Sequence, residues 1–518
     1  MQFQPFNDVT WLYPDTPVTP LADPYAADAA RGGTLGVQLL TDVTLDAAAP
    51  VHIGFDAPSD ILCEVCQLLP THVEENSGPK THTADRYEDV ADFVTRRAPF
   101  DVYDVIRPLS DGLLNPGRLA FFLLFRVGAG VPKGDYLCVL TLKAGPHALT
   151  FPMTLRVSAA VVPPLSESRF TMVNWLSLTD IEQAHRVSKS SDAFWKIVEN
   201  YLDNQLDLRT NHLKLSSGVP VRDEDGRVVD FDFTECERLG ELALAHGFSY
   251  IYGGFVARFK EWTDPAQYLL WDRDVSTSSQ EGYRQLAIYF KKLQGIVEAH
   301  GWKSHWMQCL VDEPQFPNSE SYRALSAICR KFMPGVVIHD PVESTELGGA
   351  VDIWCVKQAV YEKYLDTFQK LQAQGEEMTV YTCGFPAGKT MNRSTDLPLS
   401  ASVLPMWMCV KYGFTGFLHW GYNAYAGRDP FKFNCYYRVP KCLPPGDGFI
   451  VYPGMDGMPW NSLRAHLQRK GAEDYEILMQ LPEEQRLAFV ERLCRTFDDY
   501  ENDPALLESV RREVLEAF

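Results

Sequence analysis

The chain has 518 residues, 46% hydrophobic and 22% charged, which is an ordinary globular composition but too long for one core, so two or three domains are expected. A formal charge of −20 and the lack of any basic stripe argue against a nucleic acid or an anionic membrane surface as partner. No apolar run approaches a membrane span, and the N-terminus MQFQPFNDVTWLYPDTPVTP has neither region of a secretory signal, so a cytoplasmic protein is expected.

Residues 1–165 read as an antiparallel β-sandwich domain. Short apolar runs recur between Gly, Pro and Asp turns: TLGVQLL, VHIGF, ILCEVCQLL, RLAFFLLFRV, DYLCVLTL and LTFPMTLRV. The last two, joined by KAGP, read as a hairpin. A polar stretch over 71–118 reads as a large insertion or a loop reaching toward the second domain. Cys63 and Cys66 form a CxxC, but inside a strand they face opposite ways, and no second CxxC completes a zinc site. The other cysteines lie mostly in apolar runs (Cys138, Cys309, Cys355, Cys409), as small buried side chains do.

After a linker at 158–168 the rhythm changes to strand then helix. Strands are expected at 170–176, 211–215, 248–254, 304–313, 336–340, 351–356, 378–384 and 414–420. Helical patterns lie between most of them. SDAFWKIVENYLDNQL opens on a Ser/Asp cap, and EGYRQLAIYFKKLQGIVEAHG ends at Gly301. Eight such strands predict an α/β domain over 166–518, a TIM-like (β/α)8 barrel, imperfect where the link from 340 to 351 is too short for a helix. An open doubly wound sheet is the alternative, but no glycine-rich nucleotide motif marks one. Helices after about 460 are expected on the barrel's outside.

Active sites of such barrels gather at the C-terminal ends of the strands. The fourth strand, in HWMQCLVDEPQ, runs into the adjacent carboxylates Asp312 and Glu313 before Pro314. Paired carboxylates in an apolar mouth are costly to hold and are the usual equipment for glycosidic cleavage, although Asp-Glu-Pro is also ordinary punctuation before a helix. Other strand ends carry polar or aromatic groups: Trp175, Tyr252, His339 with Asp340, Lys357, Tyr381, then Trp420, Tyr422 and Asn423. Each alone fits plain packing; as a set they describe a ring of sugar-binding groups around an acid pair. The histidines include no HExxH, so neither metal nor cofactor is expected.

VDEP at 311–314, YTCGFPAGKTMNR at 381–393, YGFTGFLHWGYN at 412–423, GDGFIVYPG at 446–454 and SLRAHLQRKGAEDYEIL at 462–478 together resemble glycoside hydrolase family 123 and its relatives grouped as a domain of unknown function. The resemblance implies a retaining β-N-acetylgalactosaminidase in which the substrate's acetamido oxygen forms an oxazolinium ion; exo-action on short oligosaccharides is expected from the lack of a secretory signal, because a cytoplasmic glycosidase meets small imported glycans. It assigns the catalytic pair to Asp312, which would orient the acetamido N–H, and Glu313, which would act as general acid and then base. An apolar surround and a like-charged neighbour would help Glu313 hold its proton. Both can face one sugar only if the strand ends or bulges there. Tyr381 or Tyr422 would hold the acetamido oxygen, Trp420 would wall the sugar, and Asp447 would reach a hydroxyl or simply make a GDG turn. The expected partner is an oligosaccharide or glycoside, with the sandwich buttressing the barrel or covering its mouth, an arrangement open to a homodimer. Competing readings are a glycosidase for β-N-acetylglucosaminides or for a sugar without an acetamido group, and a non-catalytic carbohydrate-binding protein.

Overall fold

The computed structural model describes residues 1–19, 24–77, 92–438 and 441–518. Two five-stranded sheets form the N-terminal sandwich. In the first the order is Phe3–Asn7, Thr34–Leu45, Gly117–Val127, Ile61–Val73, Phe100–Pro108. In the second it is Tyr25–Arg31, His147–Val161, Gly134–Ala144, Ala49–Asp56, Leu113–Leu114. The expected hairpin pairs Gly134–Ala144 with His147–Val161. All pairings are antiparallel except that of Tyr25–Arg31 with His147–Val161.

Strand Gly117–Val127 shows why RLAFFLLFRV does not alternate. Leu119, Phe121, Leu123 and Phe125 pack into the core between the two sheets. Phe122 and Leu124, on the other face, pack into the core shared with the barrel. A strand covered on both faces reads as a continuous apolar run. Cys63 and Cys66 divide between the same two cores, on opposite faces.

The 71–118 stretch is corrected in part. It carries strand Phe100–Pro108, FDVYDVIRP, which holds Asp101 and Asp104. Asp104 is in fact fully buried against Arg464 and Tyr452. The stretch also reaches the barrel: the Ser77 and Thr95 amides donate to Asp396 at 2.7 and 2.9 Å. Residues 78–91 of it lie outside the described residues.

Eight parallel strands close into a barrel: Thr171–Asn174, His212–Lys214, Tyr250–Gly253, Trp306–Gln308, Val337–Val342, Ile353–Lys357, Glu377–Thr382 and Gly416–His419. Each falls within or beside its expected run. No helix joins Val337–Val342 to Ile353–Lys357, so the barrel is imperfect at the expected link. Helix Asp192–Asp207 is capped by the Ser191 side chain, which accepts from the Phe194 amide. Helix Gln280–Ala299 stops just before Gly301, at φ 68°.

One expectation fails in detail, and another is sharpened. The fourth strand ends at Gln308 rather than 313, because the Leu310 amide is taken out of the ladder by the carboxylate of Asp340, 2.9 Å from each oxygen. Helix Leu463–Leu478 packs on the barrel's outside, as expected, but it is not exposed there. All 16 of its residues are buried, because it is wedged between barrel helix Ser400–Tyr412 and the first sheet of the sandwich. Helices Glu483–Leu493 and Pro504–Glu516 follow it. Among the described residues no helix is long and apolar enough to cross a membrane.

Candidate active site

A cavity of about 410 Å³ opens at the C-terminal ends of the barrel strands. Trp175, Asp312, Glu313, Lys357, Tyr381 and Trp420 all line it, as the sequence suggests. So do Trp262, Gln315, Glu343 and Phe385, which the sequence reading passed over.

The acid pair sits on a turn, not on a strand. Glu313 has φ 51°, a left-handed conformation that costs an L-residue about 1–2 kcal/mol. That twist breaks strand alternation and brings both adjacent carboxylates to one cavity. Two backbone bonds brace it: the Glu313 amide donates to the Pro341 carbonyl at 3.1 Å, and the Glu343 amide to the Pro314 carbonyl at 3.0 Å.

Around Glu313 the sixth and seventh strands supply donors. The Tyr381 hydroxyl donates to Glu313 Oε1 at 2.5 Å, and Lys357 Nζ to the same oxygen at 3.3 Å. Lys357 lies closer to Glu343 Oε1, at 2.6 Å, while Gln315 Nε2 donates to Glu343 Oε2 at 3.2 Å. Burial pushes the Glu343 carboxyl up, Lys357 pulls it down, and the charge of Glu313 adds to the rise. Burial also works against the Lys357 ammonium, but its negative neighbours, Glu313 and Glu343 among them, outweigh burial and hold it protonated.

On the other side, Lys214 Nζ ends the second strand between two aromatic faces, 3.7 Å from the Trp175 centroid and 3.5 Å from that of Phe255. Burial pulls its pKa down. Beneath the turn, Asp340 accepts from the Leu310 amide and from the Tyr322 hydroxyl at 2.7 Å, and burial pushes its pKa up to about 7.

Five expected sugar contacts lie outside the cavity lining. Tyr252 and His339 fill the barrel interior, where the Tyr252 hydroxyl meets His339 Nδ1 at 2.9 Å and Thr379 meets Nε2 at 3.1 Å. Burial drives His339 to about 3, so it is a neutral core residue. The Tyr422 hydroxyl points to helix Asp192–Asp207 and bonds Asn204 at 2.6 Å. Asn423 ties the eighth strand to the first by bonding the Ser177 amide at 2.8 Å and its carbonyl at 3.0 Å. Asp447 lies under Trp420, accepting from its Nε1 at 2.9 Å and from Asn392 at 2.8 Å. Residues just past a strand end can turn outward as easily as inward, and spacing alone does not distinguish the two. Glu343 left a usable signal: carried two residues past Pro341, the fifth strand ends with a carboxylate at the mouth.

Known proteins extend this geometry. Residues 175–481 match the family described as "Glycoside hydrolase 123, catalytic domain". Among curated proteins none matches. The fold resembles that of a family 123 glycoside hydrolase from Clostridium perfringens, reported for glycolipid glycan hydrolysis, at 13% identity and TM-score 0.77 over 99% of this chain and 97% of that one. Weaker likenesses are a Parabacteroides merdae β-glucuronidase (10% identity, 85% and 52% covered, TM-score 0.32) and a Thermotoga petrophila endo-β-1,4-mannanase (12%, 61% and 78%, 0.38). With more than half of its 518 residues inside the family match, the chain belongs to glycoside hydrolase family 123 and is a glycoside hydrolase.

Proposed function

We propose that this enzyme is an exo-acting, retaining β-N-acetylgalactosaminidase that uses the substrate's acetamido group as nucleophile. The observation that carries the reading is the Glu313 turn at φ 51°, which presents two adjacent carboxylates to one aromatic-walled cavity. Asp312 accepts the acetamido N–H, orients the group and stabilises the positive charge that develops on it. The acetamido oxygen bonds to the anomeric carbon as the glycosidic bond breaks, and Glu313 gives its proton to the leaving oxygen. Water then attacks the same carbon, returns a proton to Glu313 and releases the oxazoline with retention. Tyr381, bonded to Glu313, orients the acid rather than the acetamido oxygen. Trp175 and Trp420 offer flat faces to the sugar. Residues 1–165 act as a buttress, since Asp8 and Asp104 clasp the helix that backs the barrel.

A second reading has one supporting observation. Glu343 places a further carboxylate in the same cavity, as a two-carboxylate glycosidase acting on a sugar without an acetamido group requires.

The test is hydrolysis of an aryl β-N-acetylgalactosaminide beside the matching glucosaminide and galactoside. The galactosaminide should be preferred, with Asp312→Asn and Glu313→Gln each lowering kcat by roughly 10²- to 10⁴-fold. Comparable cleavage of the galactoside, lost in Glu343→Gln, would replace the first reading by the second. Faster action on long chains than on disaccharides would remove the exo assignment.

A further inference from the structure

Glu313 lies beside a buried cation, yet a general acid must enter the reaction carrying a proton. Its Oε1 takes bonds from Tyr381 and Lys357, and its carboxyl also meets that of Glu343, so Oε2 is the oxygen assigned the proton. Lys357 Nζ lies 3.3 Å from that carboxyl and is only 6% exposed, so water screens its charge little.

Glu343 answers this. It takes Lys357 at the shorter distance, 2.6 Å, and is as buried as Glu313, with side-chain exposures of 16% and 15%. Gln315, two residues past Glu313, holds its second oxygen, and its amide is tied to the Pro314 carbonyl. The two carboxylates are therefore fixed to one short segment and share one cation. Resting on the reading of Glu313 as the acid–base group, we propose that Glu343 is a positioning residue for that group: it takes up the charge of Lys357 so that Glu313 can hold a proton, lose it to the leaving oxygen, and regain it from water.

The step balances. In the first half, the proton on Glu313 Oε2 passes to the glycosidic oxygen as that C–O bond breaks and the acetamido oxygen bonds to the anomeric carbon. Glu313 is then a carboxylate, and Lys357, poised between the two glutamates, can swing its charge toward it. In the second half, water bonds to the anomeric carbon, its proton goes to Glu313, and the acetamido C–O bond breaks. The groups that face Glu313 are Asp312 on its own turn, Glu343 from the fifth strand, Lys357 from the sixth, and Tyr381 and Cys383 from the seventh. Burial pushes the Cys383 thiol up to about 12 and Tyr381 well above its ordinary value, so neither of these two ionises near neutrality.

The experiment is the pH profile of kcat/KM for the wild type, Glu343→Gln, Lys357→Met and the double variant. Each is measured on two aryl β-N-acetylgalactosaminides, one with a poor leaving group that needs protonation and one with a dinitrophenol that does not. With the poor leaving group, Glu343→Gln should move the alkaline limb to lower pH by about one unit, because Lys357 is left facing Glu313 alone. Lys357→Met should move it to higher pH, and the double variant should return toward the wild type. The dinitrophenyl substrate should change less than about threefold. If Glu343→Gln does not fold, Glu343→Asp, whose shorter side chain draws its carboxylate back from Lys357, should move the limb the same way to a smaller extent, and an unmoved limb there would overturn the proposal. Limbs that stay in place, while Glu313→Gln is rescued by the dinitrophenyl leaving group, would overturn the role of Glu343 and keep that of Glu313. A Glu313→Gln variant equally slow on both substrates would instead overturn the reading beneath it.

Discussion

Two regions of this molecule that bury charge differ in form, and one of the two has that of a site. Helix Leu463–Leu478 carries Arg464, His466, Lys470 and Asp474 into the seam between sandwich and barrel, where each meets an opposite partner. Lys470 lies 2.7 Å from both Asp8 and Glu508, His466 2.7 Å from Asp8, and Arg511 2.8 Å from Asp474. Arg464 and Tyr452 close on Asp104 at 3.0 and 2.7 Å. At the barrel mouth Lys357 serves two carboxylates, with Asp312 beside them, and the acidic oxygens border open space. Buried charge matched within protein serves to dock two layers. An excess of one sign along a cavity is an arrangement with chemistry left to do.

The comparison breaks hardest at the seam. Lys470→Met would leave Asp8 and Glu508 without their shared cation, and a half-removed buried pair costs about 3–5 kcal/mol. A urea melt should show that loss, while kcat per folded molecule stays within twofold. Tyr381→Phe should do the reverse. It removes one hydrogen bond to a carboxylate, worth about 1.5–3 kcal/mol, so kcat should fall roughly 10- to 100-fold with little change in the melt.

The two regions should also respond to pH with opposite sign. Burial lifts Asp340 from 3.8 to about 7, so its contribution to stability is complete below pH about 4 and lost as pH rises through about 7. For Asp8, burial alone would raise the carboxyl, but Lys470 and His466 outweigh it and hold it below 3.8. Its contribution is present above pH about 4 and lost on acidification. Urea midpoints across pH 4 to 8 should flatten in Asp340→Asn and not in Asp8→Asn; equal slopes in both variants would contradict the assignment.

How much of this the sequence disclosed follows from which forces leave a local trace. The barrel strands were legible because each is a short apolar run with a helix or turn on either side. Asp312 and Glu313 were legible because two carboxylates at the end of such a run stand out. Helix Leu463–Leu478 hid its burial, since the partners of its charges lie hundreds of residues away, as with Lys470 and Asp8, 462 positions apart. Strand Phe100–Pro108 hid for the same reason, through Asp104. Glu343 was lost to Pro341, which reads as a strand end but sits inside the fifth strand, paired with Cys355. Tyr422 and Asn423 show the converse error, because polar residues just past a strand can serve the walls as well as the mouth.

The smallest effect belongs to the rim. Trp262 and Phe385 line the cavity yet remain 48% and 52% exposed, an apolar pair that nothing in the seam resembles. Trp262 is held in place nonetheless: buried Asn318 donates to its carbonyl at 3.2 Å and accepts from the Gln315 amide at 2.7 Å, which ties the ring's loop to the segment that carries the acid. On the proposed reading of Glu313 as the acid, a ring on this loop would stand where the leaving group departs, and an aromatic face there would contribute about 0.5–1.5 kcal/mol by stacking on a sugar. Trp262→Ala should therefore lower kcat/KM for an oligosaccharide roughly 2- to 13-fold while a small aryl glycoside, too short to reach the rim, changes by less than twofold. Equal losses on both substrates would place Trp262 with the inner wall of Trp175 and Trp420, and the distinction between floor and rim would fall.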